Sequence, residues 1–284
     1  MAERPRCATL RPVKEGLAVT SLAGRVAGRA APYLGGATFA LALGCSDPAA
    51  SMPAAPSFAA PTSSAPSGPT PRTPTPGCRA PAGVSNAPHT IDETVTLVNA
   101  LPKPLSLPCF LESLARPLQI NATDSLFSAQ PAQGPRSPRI FLFQGLTTMS
   151  IVVAGPGAPL LEFGEQRPNL RSLKAEITFP VEQAITPSTP FENLMLNEQL
   201  TTCAVCHASE TEESAISGIR RFVSQSLRPL PRDEISAQTL QHELEICDRT
   251  AEAARCALLD GLLGWGSVAD HDFPVEMATF GGNQ

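Results

Sequence analysis

Positive charge is scarce in this chain. It has 21 Lys and Arg against 26 Asp and Glu, for a formal net charge of −5. Arg4, Arg6, Arg11, Lys14, Arg25 and Arg29 gather at the N-terminus, with only Glu3 and Glu15 opposing them. The remainder is more acidic still, which argues against the basic face that nucleic-acid binding requires. A long apolar run is also missing. The stretch from Leu34 through Phe39 to Gly44 falls short of the roughly 20 residues that a membrane-crossing helix needs. Enzyme signatures are lacking too: no Gly-x-Ser-x-Gly, phosphate-binding loop, dinucleotide fingerprint or His-Glu-x-x-His occurs. No internal repeat is visible, so an array of identical sites is excluded.

One motif is present, and only once: Cys203-Ala-Val-Cys206-His207. Two thiols separated by two residues have the span to add across the two vinyl groups of one porphyrin, and an adjacent histidine can reach its iron. The pentad is therefore an attachment signature for c-type haem. Two other chemistries use similar residues. Zinc would need four ligands, such as Cys203, Cys206, Cys247 and either His207 or Cys256, and the second pair is not spaced as in a zinc knuckle. A dithiol redox centre would place Cys203 and Cys206 at a helix N-terminus after a strand, and Asn193 to Thr202 does not read as such a strand.

The N-terminus reads as an export signal. A basic leader is followed by a short apolar run that stops at Leu41-Ala42-Leu43-Gly44-Cys45, which resembles a bacterial lipobox with Cys45 as the lipidated residue. Residues 1–45 are thus expected to be a leader. Residues 46–80 are nearly all Pro, Ala, Ser, Thr and Gly. Such a segment has little apolar surface to bury and serves as an extended tether. The combination predicts a protein exported to the cell envelope of a Gram-negative bacterium. It would be held to a membrane by lipid and would face the periplasm or the exterior.

The cysteines fit an oxidising compartment. With Cys203 and Cys206 reserved for haem, Cys78, Cys109, Cys247 and Cys256 remain in the folded part. Two disulfides, Cys78–Cys109 and Cys247–Cys256, account for them, and buried free thiols are the alternative.

The folded part is expected to be α+β. Residues 81–190 read as β-rich, forming a small antiparallel sheet or sandwich. Thr94 to Val98, Leu118 to Asn121, Arg139 to Gln144, Met149 to Ala154 and Leu173 to Phe179 are its candidate strands. Residues 191–284 read as a mainly helical haem-binding region. Ile216, Ile219, Phe222 and Val223 fit one helix face, although Phe222 to Leu227 also suits an extended strand. Ser236 caps a helix that runs to Cys247, and Thr250 caps another that stops at Gly264.

The pentad resembles the haem motif of the cytochrome c family. The layout of lipobox, Pro/Ala linker and one late motif is similar to bacterial cytochrome c-domain lipoproteins. This resemblance implies one covalent haem c, with Cys203 and Cys206 as thioether anchors and His207 as the proximal iron ligand. It also implies one-electron transfer with a redox partner protein. Met277-Ala278-Thr279-Phe280 is similar to the family's Met-Pro-x-Phe setting, which makes Met277 the first candidate for the distal ligand. His271, His242 and Met195 follow, and His89, at the linker edge, is given no role. An open distal position would instead point to a peroxidase or ligand sensor. A third reading is a non-haem structural lipoprotein with a partner-binding β domain.

Overall fold

A computed structural model describes residues 75–126, 134–216 and 218–280. The chain divides into two units, 1–63 and 64–284, and all described residues belong to the second. The expected leader, Cys45 and most of the tether lie outside the described residues. Among the described residues no helix is long and apolar enough to cross a membrane.

The fold is α+β. Two helices come first, α1 (Ile91–Ala100) and α2 (Leu107–Ser113). Strands β1 (Leu118–Thr123), β2 (Arg139–Gln144), β3 (Thr147–Val152), β4 (Leu160–Arg167) and β5 (Arg171–Thr178) follow. After the short α3 (Thr189–Glu192) come β6 (Thr211–Ile216), β7 (Ile219–Gln225), β8 (Leu227–Arg228) and β9 (Glu234–Ile235). Helices α4 (Ala237–Glu245) and α5 (Ala253–Leu263) precede β10 (Val268–Asp270) and β11 (Ala278–Thr279).

One large mixed sheet runs in the order β10-β1-β2-β3-β4-β5-β7-β6, with β9 on β1; β8 and β11 form a separate parallel pair. The pairing of β1 with β10 is parallel and the rest of the large sheet is antiparallel. The small sheet or sandwich expected over 81–190 is thus larger and mixed. It continues past residue 190, because Val223 of β7 pairs with Leu173 of β5.

Strand alternation gives the sheet two faces. Ile120, Leu142, Met149, Phe163 and Ala175 stand side by side in register and belong to the apolar core. Helix residues such as Leu97, Phe110, Leu259 and Leu262 belong to the same core. The opposite parity carries Phe141, Ser150, Glu162 and Glu176, again in register, and this is the face of the functional site.

Two expected elements differ. Thr94 to Val98 lies inside α1 rather than in a strand. Thr90 caps that helix by accepting from Glu93 N–H, and Glu93 Oε2 accepts from His89 N–H at 2.6 Å. The β-branched run is tolerated because the Thr94 and Thr96 hydroxyls donate to carbonyls four residues back. The apolar spacing from Ile216 to Val223 is likewise not helical. It spans the β6–β7 hairpin, where Gly218 takes a positive φ of 80° in the turn. The region after 191 is therefore mixed, with strands completing the sheet before α4 and α5.

Two disulfides close this part of the chain. Cys78 joins Cys109 on α2, and Cys247, just past α4, joins Cys256 on α5. Close helix packing requires Gly261, since a Cβ there would stand 2.5 Å from the Pro108 carbonyl oxygen.

Candidate functional site

The pentad lies between α3 and β6. Thr201 is 1% exposed and organises its start. The Thr201 hydroxyl accepts from Cys203 N–H at 3.2 Å and donates to Glu210 Oε2 at 2.6 Å, while Thr201 N–H donates to Glu210 Oε1 at 2.8 Å. One carboxylate thus clasps the two ends of the 201–210 loop. A 3-10 turn, Thr202–Val205, carries Cys203, whose carbonyl accepts from Cys206 N–H and from His207 N–H at 2.9 Å.

His207 Nδ1 lies 2.8 Å from the Gln225 carbonyl oxygen. A carbonyl only accepts, so Nδ1 carries the hydrogen and Nε2 keeps its lone pair. Burial, then the nearby Lys174 ammonium, pushes the imidazole pKa down to about 3. His207 is therefore neutral in the folded chain, the state in which imidazole binds metal. A ring nitrogen anchored on a carbonyl is also the usual support of a metal-bound histidine.

Cys203 and His207 border a cavity of about 440 Å³, within the range of small-molecule and cofactor sites. Met277 and His271 border it too, from the far end of the sequence. Phe273 packs edge-on against Phe141 and Phe143, with centroids 5.1 and 4.9 Å apart, and the His271 ring stands 4.4 Å from Phe143. The stretch from Gln225 to Arg228 steadies both sides of the cavity. Gln225 holds His207, and Arg228 Nε donates to the Met277 carbonyl at 2.9 Å, next to the parallel pairing of Ala278 with Leu227.

Polar groups line one wall. Arg139 forms an ion pair with Glu162 and donates to Ser150 Oγ at 2.9 Å. Lys174 is 6% exposed and donates to Ser172 Oγ at 2.7 Å, with Nζ 3.5 Å from His207 Nδ1. Burial lowers its pKa to about 8, against a smaller opposing pull from Cys203. Burial also pushes the Cys203 thiol up to about 11, despite the lysine. Just beyond this wall, burial, and then the Glu162 carboxylate opposite, raises Glu176 to about 7.

The structure thus brings Cys203, His207, Met277 and His271 to one cavity. Cys206 is half-buried and is not part of the lining, and neither is Met195, which bridges to Thr201. His242 lies on α4 with its Nδ1 3.7 Å from Glu245, and His89 stands at the start of α1. Sequence reasoning missed Lys174, Glu210 and the Gln225 carbonyl. On its strand Lys174 reads as one of the polar residues on a solvated face, and a backbone acceptor leaves no mark in sequence.

The second pair of sulfurs that zinc would use is spent in the Cys247–Cys256 disulfide. Among the described residues no group of three or more His, Cys, Asp and Glu side chains is placed to hold a metal ion. A dithiol redox centre needs a thiolate stabilised near neutral pH, and burial moves Cys203 the other way. A c-type haem needs two thiols and an imidazole at one apolar-walled space. Cys203, His207 with its free lone pair, Met277 and the rings of Phe141, Phe143 and Phe273 border one cavity, while Cys206 lies outside its lining. No family model, curated protein or solved structure matches the chain.

Proposed function

We propose that this chain is a monohaem c-type protein that passes single electrons while tethered by lipid in the cell envelope, facing the periplasm or the exterior. Cys203 and Cys206 would hold the haem by thioether bonds, His207 would be its proximal ligand and Met277 its distal one. The observation that carries this reading is the convergence of Cys203, His207 and Met277 on one aromatic-walled cavity. When bound, haem supplies a one-electron couple between ferric and ferrous iron, and a thioether ligand favours the ferrous form. The chain's own contribution is to orient. Gln225 fixes the His207 tautomer, Arg228 holds the backbone at Met277, and Phe141, Phe143 and Phe273 reduce water access.

The test is a pyridine haemochrome spectrum of the full chain exported with haem-attachment machinery, followed by acid-acetone extraction. Haem should stay with the polypeptide, and replacing both Cys203 and Cys206 by Ala should release it. Loss of all haem from the wild type would overturn the covalent assignment and leave the non-haem structural reading. Ready carbon monoxide binding by the wild type would favour an open distal site, and with it a peroxidase or sensor.

A further inference from the structure

A buried ammonium is costly unless an anion or several acceptors meet it. Lys174 is buried on the cavity wall, and among the described residues it forms no ion pair. Ser172 Oγ takes one of its hydrogens. His207 Nδ1 takes none, because that nitrogen already donates to Gln225. Glu162, the one carboxylate among the described residues that line the cavity, is engaged by Arg139. Arg171, a further lining cation, donates through Nη2 to the Ser209 and Val223 carbonyls and the Thr211 hydroxyl, and its Nε is buried without a partner. Directly opposite Lys174 in the sheet register stands Gly164, also on the lining, so no side chain covers the amine from that strand. A cation with no ion-pair partner among the described residues thus faces a space that Phe141, Phe143 and Phe273 also line.

We propose that Lys174 recognises a carboxylate, and that the cavity binds an organic acid with its apolar body against these phenylalanines. Such a carboxylate comes from one of two sources: a free amphipathic acid, or the propionates of a porphyrin. The proposal shares its cavity with the haem reading but rests on Lys174 and not on the pentad.

The test uses the full chain made without haem-attachment machinery and two pairs of probes, decanoate with decan-1-ol and protoporphyrin IX with its dimethyl ester. In at least one pair the acid should bind the wild type roughly tenfold or more tighter than its neutral partner, as a charge-assisted hydrogen bond gives. Lys174→Met should erase that difference while the neutral probe binds as before. Discrimination in the decanoate pair assigns the site to a free acid, and discrimination in the porphyrin pair alone assigns it to propionates. Equal binding of acid and neutral probe in both pairs, no binding of any probe, or a preference that survives in Lys174→Met would overturn the proposal. The wild-type comparison needs no variant to fold. Covalent haem staining decides the haem reading separately. Staining without acid preference overturns only this inference, and acid preference without staining leaves it standing.

Discussion

Thr201 has almost no surface of its own, yet its three hydrogen bonds decide where Cys203 sits. Thr201→Val removes the hydroxyl and leaves one Glu210 oxygen without its partner in a part-buried setting. On the haem reading, the two thiols then lose their fixed span, and haem retained per polypeptide should fall several-fold. Thr201→Ser keeps the hydroxyl and should restore it, which separates positioning from general damage; densitometry of haem-stained gels against total protein reads both. Met277 and Met195 offer a second contrast. Met277 borders the cavity and Met195 does not. Met277→Ala should let the ferrous protein bind carbon monoxide and should lower its reduction potential, whereas Met195→Ala should change neither. A Met195 variant with the Met277 phenotype would reassign the distal ligand.

Helix α5 meets α2 through Gly261, where a methyl group would press on the Pro108 carbonyl. Gly261→Ala should cost about 1–3 kcal/mol, the usual range for overpacking, and the shift of a urea midpoint measures it. The two disulfides close spans of 31 and 9 residues. Loop entropy assigns about 3–4 and 2–3 kcal/mol to them, so Cys78→Ser with Cys109→Ser should lower the midpoint more than the other pair. Elements with strong local signals were legible in the sequence. The alternation in Arg139 to Gln144 matches β2, and Ser236 caps α4 by accepting from Thr239 N–H. Elements decided at a distance were not. The start of α1 is held by Glu165, whose Oε2 accepts from Ile91 N–H, although Thr90 and Glu93 already spell a capping pattern that outweighs the β-branched residues after them. At α5 the Asp248 carboxylate takes Thr250 N–H and Ala251 N–H for a turn, which moves the helix cap from the expected Thr250 to Glu252 and starts the helix at Ala253. The pentad was readable as a motif because its residues are contiguous. The cavity was not, because strand register places Lys174 across from Gly164, and β8 with β11 brings Met277 to the cavity that His207 borders.

Over the whole molecule, two half-buried groups set opposing pH slopes. Glu176 is raised from 4.5 to about 7, so the fold favours its protonated form. That contribution is full below pH 4.5 and is lost as pH rises through 7. His207 is depressed from 6.5 to about 3, so the fold favours its neutral form. That contribution is present above pH 6.5 and is lost as pH falls toward 3. Between 4.5 and 6.5 the two slopes oppose. Glu176→Gln should therefore raise the melting temperature above that of the wild type at pH 8 and leave it nearly unchanged at pH 4.5. Calorimetry at both values checks the sign. The pairing of β11 with β8 carries a further consequence, one of order. The walls from Phe141 to Leu227 precede the segment from His271 to Met277 in the chain, so the wall that the latter forms is the last in sequence. Without that segment the cavity would be a trough rather than a chamber, open on the side that His271, Phe273, Pro274 and Met277 line.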